Sequence, residues 1–283
     1  MTRRVWPALA FLILQSGGAV AGAPPDKSGF NLFRPVPAEL LREITTDRPD
    51  KTESPITVDA GHFQIETDIV NYTSDRSEHA KNEAFAVAAT NCKIGVLNNV
   101  DLQVIVESYN WMRTKDFKTG KADRASGFGD VTLRLKTNFW GNDSGPTAFG
   151  MMPFVKLPTG GDDLGNGAVE GGMILPLLVR LPSEWELGTM VEVDQARNSA
   201  GDGYHQEFIY SITLGHDIAR NFDGYVELFS NVSNEAHSAW VVTLDCGVGY
   251  RITPNVQLDA GVNIGLTEAA DDFNPFIGLS IRY

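Results

Sequence analysis

Five charged side chains lie close together near the start of the chain, between Thr45 and Pro55. They are Asp47, Arg48, Asp50, Lys51 and Glu53. Carboxylates and cations at this spacing suit a hydrated polar site, and the prolines among them stiffen the backbone. The cluster directly precedes the first predicted strand, so its placement depends on the structure that the strands build.

Other candidates for chemistry are weaker. The histidines are His62, His79, His205, His216 and His237, and none is followed two residues later by serine, the arrangement of barrel phospholipases. The glycine-rich stretch from Gly160 to Gly167 lacks the Lys-Ser/Thr of a phosphate loop. Asp162, Asp163 and Asn166 could gather a calcium ion, but the pattern favours a flexible polar loop over that site. We therefore predict no catalytic residue, no metal site and no cofactor.

The elements that must position the charged cluster are β-strands. From Trp240 to Leu266 apolar and polar residues alternate, and the chain ends on an alternating strand closed by Tyr283. Period-two alternation indicates strands, and apolar faces of about ten residues match tilted strands that cross a bilayer. From Gly61 onward the pattern predicts about twelve strands in an all-β, transmembrane, antiparallel β-barrel. Short turns should alternate with longer loops, including loops over residues 73–82 and 113–126.

A soluble barrel would turn the apolar face inward, whereas a membrane barrel turns it to lipid. In the membrane interpretation, which the loop asymmetry and the aromatic terminus favour, the polar face lines a lumen. That lining is mainly acidic. Either it is a solvated wall with internal salt bridges, or it tunes selectivity and favours cationic or neutral solutes over anions. The wall residues singled out are Glu66, Asp68, Arg134, Lys136, Glu192, Asp194, Asp245 and Asp259.

The N-terminus predicts export through the inner membrane. Arg3 and Arg4 precede an apolar core, and small residues follow up to Ala21, which is the pattern of a secretory signal peptide over residues 1–21. Residues 22–60 are rich in proline and predict a periplasmic or lumen-plugging segment, and residues 61–283 predict the barrel. The formal net charge of −13 argues against a nucleic-acid partner. Cys92 and Cys246 are expected to be free thiols.

Two stretches resemble a known family. The segment from Thr45 to Pro55, followed by Gly61-His-Phe-Gln-Ile-Glu66, is similar to the opening motif of the outer-membrane transporters associated with the meta-pathway of phenol degradation. The stretch from Met152 to Gly160 resembles the mid-chain motif of that family. The resemblance implies a Gram-negative outer-membrane barrel that passes small, apolar or aromatic solutes.

Three functions remain open from the sequence. The first is a porin-like channel or transporter for small-molecule uptake, the second is a structural or assembly barrel without transport, and the third is a barrel enzyme. The expected partners are outer-membrane lipid and lipopolysaccharide, a small-molecule solute, and the barrel assembly machinery through the strand that ends at Tyr283. The charged segment either folds into the lumen, pairing Arg48 or Lys51 with wall carboxylates, or lies along the periplasmic rim.

Overall fold

The computed structural model describes residues 25–161 and 164–283. The predicted signal peptide and the acidic pair of the calcium hypothesis, Asp162 and Asp163, lie outside this part. One short 3-10 helix, Ala38–Leu40, precedes the strands. The strands are β1 Phe63–Arg76, β2 Ala80–Leu97, β3 Val100–Asp116, β4 Ala122–Gly127, β5 Val131–Trp140, β6 Thr147–Leu157, β7 Glu170–Arg180, β8 Trp185–Arg197, β9 Tyr204–Ala219, β10 Phe222–Ser233, β11 Val241–Thr253, β12 Val256–Gly265 and β13 Phe273–Arg282.

These strands form one closed antiparallel sheet with twelve positions. Strands that are consecutive in the chain pair with each other, except β4 and β5, and β1 pairs with β13 to close the ring. The β4 and β5 strands both pair with β3, one after the other along its length, so together they fill a single position. The predicted barrel is therefore confirmed, with one wall strand interrupted at residues 128–130.

The apolar face points outward, as a bilayer requires. On β9 the side chains of Tyr210 and Ile212 are 47% and 48% exposed, whereas those of Ser211 and Thr213 between them are 5% and 7% exposed. A soluble barrel would show the reverse order. Exposed aromatic residues lie near both ends of the strands, where an outer-membrane barrel places its aromatic girdles: Phe63, Phe139, Trp140, Trp185, Tyr250, Tyr109, Tyr204, Trp240 and Phe273.

Within the described residues, no helix has the length and apolar character needed to span a membrane.

The loop predictions need correction at one end of the barrel. Residues 73–76 and 80–82 belong to β1 and β2, and residues 113–116 and 122–126 belong to β3 and β4, so the connections shrink to 77–79 and 117–121. These hairpins extend past the expected apolar belt, where both faces meet water and polar alternation no longer marks a strand. Aromatic rings pack across these hairpins. The Phe85 ring centroid lies 4.6 Å from that of Tyr72 and 5.7 Å from that of Trp111.

Candidate functional site

The inner wall of the barrel contacts the segment that precedes β1. We call residues 22–60 the leader, of which residues 25–60 are described. Its charged cluster contacts wall residues on β1, β2, β5 and β9–β12, and these contacts define the candidate site. The leader backbone passes so close to the wall that only glycine fits at one position. A Cβ on Gly95 of β2 would come within 2.1 Å of the Asp59 carbonyl oxygen.

Asp47 lies between two lysines of the wall. Its carboxylate oxygens are each 2.5 Å from an ammonium nitrogen, one on Lys93 of β2 and the other on Lys136 of β5. Lys93 also contacts Glu66, whose carboxylate accepts the backbone N–H of Asp47 at 3.0 Å. Burial alone would raise the pKa of Asp47, but the two ammonium charges outweigh it and hold that pKa well below its ordinary value.

Arg48 points to β1 and β12 and forms a forked ion pair. Its guanidinium donates to Asp259 at 2.7 and 3.2 Å and to Asp68 at 2.6 Å. The same group lies 5.5 Å from the ring centre of Phe276. A Cβ on Gly278 of β13 would come within 2.2 Å of a guanidinium nitrogen, so glycine makes room for this fork. The fork geometry is the one that arginine, unlike lysine, offers to carboxylates.

The next residues bind β9, β10 and β11. The Lys51 ammonium lies 3.1 Å from Asp245, 2.9 Å from the Thr243 hydroxyl and 4.5 Å from the ring centre of Phe229. The Glu227 carboxylate accepts the backbone N–H groups of Lys51 and Thr52, each at 2.8 Å. The buried Glu227 thus satisfies leader backbone donors that would otherwise lie unpaired.

Glu53 and Asp50 behave differently. Glu53 accepts from Arg134 of β5 at 2.5 Å. Asp50 forms no salt bridge among the described residues, and burial together with the nearby Glu227 carboxylate raises its pKa well above the ordinary value. Burial also raises the pKa of Glu53, although the Arg134 charge opposes this. The leader is therefore held by ion pairs on both sides and carries one carboxyl that favours a proton.

The leader is also tied to the short-turn end of the barrel. Asp59, which is 1% exposed, pairs with Lys27 at 3.1 Å and with Arg42 at 3.2 Å. Arg42 further donates to the Asn98 carbonyl oxygen at 2.8 Å and to Asp143 at 3.2 Å, both in turns between strands. These contacts fix the leader where it enters the barrel.

The structure thus brings together most residues of the predicted site. Ten of them meet across the leader–wall contact: Asp47, Arg48, Lys51, Glu53, Glu66, Asp68, Arg134, Lys136, Asp245 and Asp259. Glu192 and Asp194 lie on the inner-face positions of β8 without a salt bridge to the described part of the leader. The sequence analysis did not single out Lys93, because the phase of the second strand was undefined, nor Thr52 and the leader anchors Lys27, Arg42 and Asp59.

The inner wall also carries an apolar patch that the sequence analysis missed. Met152, Ile174, Met190 and Ile209 are buried, and Phe154 and Phe229 pack against them. Four adjacent strands, β6 to β9, contribute the buried side chains. The signal was present in the sequence, since the stretches from Ala148 to Val155 and from Met173 to Val179 are apolar on both faces rather than alternating.

Open space remains beside the leader. A cavity of about 700 Å³ lies toward the short-turn end, between leader residues 42–56 and the inner wall, and its lining includes Arg180, Glu186 and Tyr225. A second cavity of about 490 Å³ at the long-loop end is lined by His205, Glu207 and Glu235 among others. The described lumen is therefore not filled by side chains, unlike that of the smallest barrels.

Across residues 25–161 and 164–283, no three His, Cys, Asp or Glu side chains are placed to hold a metal ion. His205 has Asn198 at 3.3 Å and Glu207 at 3.2 Å as partners, not a serine or an aspartate. Cys92 and Cys246 are free and exposed on the outer face.

Comparisons with known proteins place the chain among outer-membrane barrels. An outer membrane channel from Pseudomonas putida F1 aligns with a TM-score of 0.57 and 12% identity, covering 84% of this chain and all of the other. The NanC porin aligns with a TM-score of 0.47 and 12% identity, covering 77% of this chain and 98% of the other. At this identity the likeness shows the fold alone. No curated protein matches the sequence. A family model matches residues 46–283, so the chain belongs to the family described as "Putative MetA-pathway of phenol degradation".

Proposed function

We propose that this protein is an outer-membrane channel for the uptake of small solutes, and that its leader is a plug that occludes the lumen and must move for full conduction. The observation that carries the proposal is the distribution of the leader's partners. Within a few residues the leader binds β5 through Glu53, β11 through Lys51 and β12 through Arg48. Strands this far apart in the ring face each other across the lumen, so a segment that reaches all of them crosses it.

Several features support a channel over a structural barrel. The outward apolar face suits a bilayer, and the cavities of about 700 and 490 Å³ beside the leader leave space for a solute. Among the described residues, the hydrogen-bond partners of His205 are Asn198 and Glu207 rather than a serine hydroxyl, which weighs against a barrel enzyme.

The solute class follows from the wall. The patch of Met152, Ile174, Met190 and Ile209, flanked by Phe154 and Phe229, is buried while the leader is docked and would offer apolar and aromatic contact surface to a solute once the leader moves. Together with the family's association with phenol degradation, this supports small apolar or aromatic solutes. The proposed setting is the outer membrane. The C-terminal strand, which ends at the exposed Tyr283, is the proposed contact for barrel assembly, and lipopolysaccharide is proposed to surround the long loops.

A reversible disulfide between the leader and the wall, here called the disulfide lock, tests the plug. The hydroxyl oxygens of Thr52 in the leader and Ser211 on β9 are 2.6 Å apart, close enough for a disulfide after Thr52→Cys and Ser211→Cys. Cys92 and Cys246 would first be replaced by serine. We expect small or absent single-channel steps in planar bilayers when the pair is oxidised, and larger steps after reduction.

The single variant Thr52→Cys controls for the lost hydroxyl and should not respond to reductant. Equal conductance in the oxidised and reduced double variant would refute the plug while leaving a channel. An absence of steps in every form, with the folded barrel intact on gels, would instead support a structural barrel.

A further inference from the structure

The leader's charges are sorted by side of the barrel. Between residues 47 and 53, the anions Asp47 and Glu53 meet the basic residues of β2 and β5, whereas the cations Arg48 and Lys51 meet carboxylates on β1, β11 and β12. Each of these two cations also lies beside an aromatic ring in the same part of the wall. The wall therefore presents two places where a carboxylate and an aromatic face converge on one positive charge.

The Lys51 site is the better defined of the two. Asp245 is 0% exposed, and one of its oxygens contacts the ammonium while the other, Oδ1, has no hydrogen-bond partner among the described residues. The Phe229 ring and the Thr243 hydroxyl complete the site. A carboxylate beside an aromatic face is the arrangement by which proteins bind organic ammonium groups.

The Arg48 site repeats this arrangement with a second carboxylate. Asp259 is 3% exposed and pairs with the guanidinium together with Asp68, while the Phe276 ring lies at 5.5 Å. If the leader left the wall, both sites would lose their cations. The vacated carboxylates would then face the lumen beside aromatic rings without a counter-charge, an arrangement that attracts replacement cations.

We infer that the lumen wall carries two binding sites for small organic cations, ammonium or guanidinium groups, and that Lys51 and Arg48 occupy these sites as tethered competitors. This inference rests on the proposed plug and narrows its solute class. A permeant solute that combines an aromatic body with a positive group would use the apolar patch and the Lys51 site together, since Phe229 belongs to both.

Isothermal titration calorimetry of the detergent-solubilised full chain tests the inference independently of any conductance measurement. The probe is benzylammonium, and benzyl alcohol and benzoate serve as neutral and anionic probes of similar size. Lys51→Met keeps much of the side chain's length but removes the competing charge. We expect this variant to bind benzylammonium at least tenfold more tightly than the native chain, with no comparable gain for the other two probes.

Two further variants locate the binding. Adding Asp245→Asn to Lys51→Met should abolish the gain, because it removes the carboxylate that receives the ammonium. Lys118→Met, which removes an exposed lysine from the loop after β3, should bind as the native chain does. Should Lys51→Met fail to show the heat-modifiable gel migration of a folded barrel, Lys51→Gln takes its place.

The outcomes separate this inference from the plug itself. Unchanged benzylammonium affinity in folded Lys51→Met, or an equal gain for benzyl alcohol, overturns the cation sites even if the disulfide lock alters conductance. Conversely, tight benzylammonium binding that Asp245→Asn abolishes supports the sites even if the lock leaves conductance unchanged.

Discussion

Replacing Asp47 by asparagine should release the leader. Asp47 is the shared partner of Lys93 and Lys136, which are 3% and 1% exposed. After Asp47→Asn, Lys93 keeps the Glu66 carboxylate, but Lys136 loses its ion pair and keeps only neutral acceptors among the described residues, the new amide oxygen and the Ile56 carbonyl oxygen at 3.3 Å. Removing one partner of a buried ion pair costs about 3–5 kcal/mol, because the other charge remains buried and unpaired.

That cost acts on the docked leader and not on the barrel wall. At about 1.4 kcal/mol per tenfold change, the undocked population should rise by roughly a hundredfold to several thousandfold. The lower end is expected if water in the lumen reaches Lys136. The barrel's own unfolding should change less, because its strands keep their ladders.

Limited trypsin digestion measures the undocked population directly. When opening and closing are fast relative to cleavage, the cleavage rate tracks the population of the open form. The Lys51–Thr52 bond is the informative site, because Arg48 precedes a proline. Glu43→Gln is the matched control, since it makes the same acid-to-amide change in the leader on a side chain that is 84% exposed. If Asp47→Asn is cleaved no faster than Glu43→Gln, the lysine pair does not hold the leader.

Further predictions concern pH, packing and lipid. Docking of the leader should weaken as pH rises from about 4, because the pKa of Asp50 is higher in the docked leader than in the solvated one. Asp50→Asn should remove most of this pH dependence of leader cleavage in digestions from pH 5 to 9. Gly278→Ala should raise leader cleavage at least tenfold, since its Cβ would meet the arginine fork at 2.2 Å, whereas Gly215→Ala, with its nearest contact at 3.8 Å, should not. In lipid vesicles, Ile212→Arg at the middle of β9 should lower the free energy of unfolding in urea by about 2–4 kcal/mol, and Ile218→Arg near its end by about 0–1 kcal/mol. A similar loss at both positions would place the bilayer elsewhere.

The sequence predicted the barrel because alternation is a local signal that a bilayer makes unambiguous. Twelve positions, the outward apolar face and the family were all predicted correctly. The environment is the same on both faces in two regions. The loop prediction was wrong in the extended hairpins of β1 to β4, which meet water on both sides, and the inner apolar patch was missed on β6 and β7, which meet lipid outside and that patch inside. In both regions alternation is lost, but for opposite reasons.

The site was harder to predict, because it depends on contacts between distant parts of the chain. The sequence supplied the charged cluster and most wall residues, but not their pairing. Arg48 and Asp259, for example, are 211 positions apart, and only closure of the ring brings them within 2.7 Å. Lys93 could not be assigned to the inner face until the register of β2 was known, since a shift of one residue reverses the faces.

The chemistry of the leader–wall contact suits a part that moves. An apolar plug would lose its burial energy on leaving the wall, and its exposed surface would be unfavourable in water. Ion pairs are different, because the charges that separate regain hydration, so a salt-bridged contact fixes one docked position while adding little net stability. The hydrated carboxylates left on the wall still attract cations, and cations in the lumen can take the place of Lys51 and Arg48. In this view the same residues that hold the leader in place would also lower the cost of its release whenever a cationic solute is present.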